Sequence, residues 1–139
     1  MVLKVNQQAL QAFRRHACEV YPREYVEILA GTVSKKGEIR IERFYQIEQT
    51  LRPKYVLYTA EEIDQVRKKA KAWGLMMLGS IHSHPNADDH PSEQDNQESY
   101  SQGELVFGIL SVRAASSGRK HTTLAWWPVQ NPITRVTYF

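Results

Sequence analysis

Residues 75–81, Leu-Met-Met-Leu-Gly-Ser-Ile, form a mostly apolar run bounded by Gly74 on one side and by a histidine on the other. A run of this length, closed by a glycine, reads as a buried central strand, and such a strand needs covering layers on both sides. It delivers His82 and His84, whose i, i+2 spacing sends both side chains to one face. The strand rise puts their backbone positions about 7 Å apart, close enough for two imidazoles to converge on one metal ion. A seven-residue connection leads to Ser92 and Asp95. An Asp in the first turn of a following helix can supply a third ligand.

The rest of the chain supplies the layers. Asn6 can cap a first helix carrying Leu10, Phe13, Ala17 and Val20 or Tyr21 on one stripe, and Tyr21-Pro22 ends it. Residues 26–34 read as a strand, Lys35-Lys36-Gly37 as a turn, and residues 38–48 as the return strand with an irregularity near Arg43. Tyr55 to Tyr58 is a short strand candidate. Thr59 and Glu62 make a capping box for a helix with Ile63, Val66, Ala70 and Trp73 at helical spacing, closed by Gly74. Ser92 opens a third helix running to about Gln102, stopped by Gly103. Strands are expected at Leu105–Val112, Thr122–Trp127 and Ile133–Phe139, with a Ser/Gly-rich loop at Ala114–Lys120. The order defines one α/β layered domain over residues 1–139, with three helices.

Composition narrows the function classes. The net charge of +3 is spread along the chain, so a solvated surface explains it better than an acidic partner does. The basic residues form no stripe with interleaved aromatics, which argues against a nucleic-acid surface. Cys18 is the one cysteine, excludes an internal disulfide, and fits packing better than nucleophilic chemistry. No charged-then-apolar leader opens the sequence and no apolar run reaches the length of a membrane span, so a soluble, cytoplasmic protein is expected.

A His-x-His pair is weak evidence for a metal by itself, and Ser-x-x-Asp also describes an ordinary helix cap. Their conjunction at the end of a buried strand is stronger. Two neutral imidazoles and a carboxylate suit Zn²⁺ with a fourth position for water, and do not suit an all-oxygen Mg²⁺ or Ca²⁺ site. His82-Ser83-His84-Pro85 through Ser92-Glu93-Gln94-Asp95 reads H-x-H-x7-S-x-x-D. In this it resembles the JAMM (JAB, MPN-plus) metalloproteases. The upstream stretch, with Glu24, Leu29 and Gly31, resembles that family's Glu-x-x-x-x-Leu-x-Gly segment.

The resemblance implies a mixed central sheet of the cytidine-deaminase-like type flanked by about three helices. It implies Zn²⁺ held by His82, His84 and Asp95, Glu24 as the acid–base carboxylate and Ser92 as an oxyanion donor. Glu27 is a rival for Glu24; the count to Gly31 favours Glu24, and strand alternation would let Glu27 face solvent. The segment between His84 and Ser92 lacks the insertions of eukaryotic deubiquitinating members. Relatives of this size resemble enzymes acting on the C-terminal tail of a ubiquitin-like or sulfur-carrier protein. The alternative is a non-catalytic scaffold or protein-binding module, as in members that have lost their ligands. Ser83 should point away from the metal, His90 should be exposed on its loop, and of Trp126 and Trp127 one should face the core and one a surface or partner. The oligomeric state is left open.

Overall fold

The computed structural model describes residues 1–47 and 58–139. Along them run β1 (Val2–Val5), α1 (Gln7–Val20), β2 (Val26–Val33), β3 (Ile39–Gln46), α2 (Ala60–Ala72), β4 (Met76–Pro85), α3 (Glu93–Ser101), β5 (Val106–Ala114), β6 (Lys120–Pro128) and β7 (Arg135–Tyr138). The strands form one sheet in the order β6-β5-β4-β2-β3-β1-β7. β4 is antiparallel to β2 and parallel to β5, so the sheet is mixed. The apolar run therefore lies where its composition requires, between two other strands.

Two helices cover β2 from opposite sides. α1 is capped by Asn6, whose side chain accepts from the Ala9 N–H, and it buries Leu10, Phe13 and Ala17. These pack with Leu3, Val5, Leu29, Ile81, Leu110 and Val112, and Cys18 packs against the same cluster. α2 has both arms of the Thr59–Glu62 capping box and buries Ile63 and Val66 against Val26, Ile28 and Tyr58. Among the described residues no helix is long and apolar enough to cross a membrane.

Some expectations need correction. β1 carried no sequence signal, being four residues long, yet it pairs in parallel with both β3 and β7. Trp73 does not join the apolar stripe of α2; it is 64% exposed, because it is the C-cap residue, and the Arg43 guanidinium covers its ring at 4.0 Å. Gly74 (φ 71°) then turns the chain, with its N–H on Lys71 O and that of Leu75 on Ala70 O. Of the strand expected at Tyr55–Tyr58, residues 55–57 lie outside the described residues, and Tyr58 is buried outside any strand. The irregularity near Arg43 is present: Ala30 pairs with Arg43 but Gly31 with Ile41, so Glu42 is the extra residue.

The β4–β5 pair tolerates no side chain at Gly79. A Cβ there would lie 1.7 Å from Val106 O. Gly79→Ala is expected to destabilise the protein by at least about 1–3 kcal/mol, the ordinary cost of overpacking. The change should appear as a lower urea midpoint at constant m-value; an unchanged midpoint would mean the strands separate freely there.

Candidate metal centre

β4 carries both histidines to the face it shares with Val26, the residue paired with His82. α3 starts beside them. Ser92 Oγ accepts from the Asp95 N–H at 3.0 Å, and Asp95 Oδ2 accepts from the Ser92 N–H at 2.9 Å. This reciprocal cap fixes the Asp95 carboxylate at the helix start. His82 Nε2 lies 3.0 Å from His84 Nε2, His84 Nε2 lies 3.2 Å from Asp95 Oδ2, and His82 Nε2 lies 3.4 Å from Asp95 Oδ1. Bonds of about 2.0–2.1 Å to a tetrahedral zinc put neighbouring ligand atoms about 3.3–3.4 Å apart. The three groups fit one zinc ion.

Tautomer and charge agree with that fit. His84 Nδ1 lies 2.9 Å from the Asp88 carbonyl, to which it donates, leaving Nε2 with its lone pair toward the cluster. His82 is buried, and its Nδ1 has no partner among the described residues. Burial alone would push the Asp95 carboxyl up, but bonds and charge from His82 and His84 outweigh it and hold it well below the usual carboxylate range. Burial would likewise lower His84, but the Asp95 bond, the Asp88 carbonyl and the charges of Asp95 and Glu24 together raise it. Two ring nitrogens facing each other beside an ionised carboxylate are poised for a cation.

The connection from β4 to α3 is pinned at several points. Asn86 takes φ 58°, its N–H donates to Val112 O at 2.8 Å, and Ser111 Oγ donates to the Ala87 carbonyl. Trp127 Nε1 donates to Asp89 O at 2.8 Å, and its ring meets that of His90 at 5.2 Å. The His90 side chain is exposed, as expected. Trp126 packs on the core, whereas Trp127 is spent on a loop of its own chain.

The register separates the two glutamates. Val26 pairs with His82, and the Ser83 N–H bond to Tyr25 O continues the ladder by one step. Glu24 precedes β2 and is exposed; the same register carried one step further would set it opposite His84, and its charge helps to raise His84. Glu27, an odd number of residues away, points to the other face. It does not reach solvent as alternation suggested: it is 3% exposed, because α1 covers that face too. Its carboxylate accepts from Tyr25 OH and lies 3.4 Å from His16 Nδ1. Burial pushes its pKa up despite those partners. Ser83 points away from the ligands, as expected, and its Oγ accepts from the Tyr25 N–H at 2.9 Å.

A mixed sheet with paired histidines on an interior strand and a carboxylate at the next helix start defines a class of α/β domain whose site could hold a metal ion. More narrowly, the chain belongs to the family of prokaryotic homologs of the JAB domain, which matches residues 6–129. Its fold is similar to several solved structures. A protein of Desulfitobacterium hafniense is 17% identical with a TM-score of 0.69, covering 99% of this chain and 92% of that one. A JAB1/MPN domain protein from Archaeoglobus fulgidus is 14% identical with a TM-score of 0.61, covering 99% and 98%. A protein of Salinibacter ruber is 28% identical with a TM-score of 0.60, covering 95% and 90%. No curated protein matches the chain.

Proposed function

We propose that the chain is a zinc-dependent peptidase or isopeptidase acting on the C-terminal tail of a ubiquitin-like or sulfur-carrier protein. The observation that carries this is the convergence of His82, His84 and Asp95, with the charge of Glu24 near enough to help raise His84. His82, His84 and Asp95 would hold zinc, which would supply Lewis acidity and lower the pKa of a water to about 7. Glu24 takes the proton of the attacking water and passes it to the leaving amine. Ser92 Oγ already accepts from the Asp95 N–H, so its own O–H can donate to the developing oxyanion. A small Gly-Gly tail would pass a narrow cleft as an added strand. The lone Cys18 and the absence of a membrane-crossing helix among the described residues fit action in the cytoplasm.

The test is a cleavage screen against tail-fusion proteins. The expected result is hydrolysis at the tail, abolished by chelator and restored by zinc. Protein purified without chelator that holds far less than one zinc per chain and cleaves nothing would instead support the scaffold reading.

A further inference from the structure

α3 carries Asp95 but has almost nothing apolar to hold it in place. Its sequence is Glu-Gln-Asp-Asn-Gln-Glu-Ser-Tyr-Ser, its one buried residue is Ser99, and its one aromatic, Tyr100, is 68% exposed. Helices of soluble domains are ordinarily fixed by an apolar stripe. Two polar contacts, one at each end, tie it to the sheet.

The first is the Asp95 cluster. The second lies at the opposite end, on Glu104, which is 3% exposed. Gly103 (φ 70°) and Glu104 close α3 in a Schellman turn, with Gly103 N–H on Tyr100 O at 3.1 Å and Glu104 N–H on Ser99 O at 3.0 Å. That turn usually brings two apolar side chains together. In this chain the contact is polar: Ser99 Oγ donates to Glu104 Oε1 at 3.3 Å. Ser80 Oγ donates to the same oxygen at 2.8 Å, and Tyr58 OH to the other. Ser80 stands two residues before His82 on β4, and Tyr58 directly precedes the cap of α2. One carboxyl thus joins the helix bearing Asp95, the strand bearing both histidines and the start of α2.

We infer that Glu104 is a positioning residue for the metal centre, anchoring α3 to β4 so that Asp95 meets His82 and His84. The inference rests on the metal reading above. Burial pushes the Glu104 carboxyl up to about 8, so near neutrality it is largely uncharged and needs no cation beside it. Gln at this position keeps an oxygen for Ser80 and Ser99, whereas Leu keeps the bulk and removes the acceptor that three hydroxyls share.

Zinc affinity by chelator competition and amide hydrogen exchange of the metal-free protein test this together. Glu104→Leu should weaken zinc binding about 10–100-fold, as outer-shell changes do, while Glu104→Gln stays within about threefold of wild type. In Glu104→Leu without metal, the α3 amides should exchange faster while those of β4 and β5 keep their protection. Should Glu104→Leu fail to fold, Ser99→Ala cuts only the α3 link, and it should weaken zinc about 3–10-fold, the net worth of one hydrogen bond. Wild-type zinc affinity with wild-type α3 exchange in Glu104→Leu, or in Ser99→Ala where that variant replaces it, overturns the inference. A wild-type chain that binds no zinc would refute the metal reading, and α3 exchange in the metal-free variants would still decide the anchoring.

Discussion

Glu24→Gln is expected to lower turnover of a tail substrate by about 10²–10⁴-fold, the usual contribution of a positioned acid–base group, with zinc still bound. The amide keeps the shape of the carboxylate and removes the proton acceptor. The ligand set is untouched, because Glu24 is not one of the three converging groups. The measurements are steady-state kcat/KM and zinc content of the same preparation. Wild-type turnover in Glu24→Gln would remove Glu24 from the chemistry. Glu27 would not take its place, since its carboxylate faces α1 and is engaged by Tyr25 and lies beside His16. Glu27→Gln should therefore act on stability, leaving the proton transfer intact.

Much of this centre was readable before the fold, for a physical reason. Side-chain direction along a strand is fixed by its period of two, so His82 and His84 had to share a face. The S-x-x-D spacing places Asp95 at the third helical position, where a capping box holds a carboxylate. Both signals are local. The glutamates were harder, because the choice between them depends on which face of β2 looks toward β4's histidines. Alternation sets Glu24 and Glu27 an odd number of residues apart, but it cannot show that the face Glu27 takes is covered. The burial of Glu27 follows from α1 and α2 packing on either side. Glu104 was silent for a similar reason. A glutamate between a helix-stopping glycine and an apolar strand looks like an exposed turn residue, and its partners Ser80, Ser99 and Tyr58 come from three separate elements. β1 was missed because four residues give too little alternation to read.

Asp95→Asn should separate the two duties that one carboxylate performs. Asn keeps an oxygen able to accept from the Ser92 N–H, so α3 should start where it does now. It loses the anionic ligand, and zinc affinity should fall by more than the roughly 10–100-fold of an outer-shell change. Hydrolysis should fall with it at limiting zinc. Asp95→Ala removes the cap arm as well, costing about 1 kcal/mol more in stability. Metal-free protein supplies an independent readout. The Asp95 pKa is held below its ordinary value, so its contribution to stability is present above that value and lost as the pH falls through the lowered one. Asn cannot titrate, so metal-free Asp95→Asn should be less stable than metal-free wild type at neutral pH, and the gap should close on acidification. Urea midpoints of the two proteins across that range, with zinc titrations beside them, decide the matter. Equal zinc affinity in Asp95→Asn and wild type would show that the carboxylate is only a helix cap, and the two histidines would then need another partner.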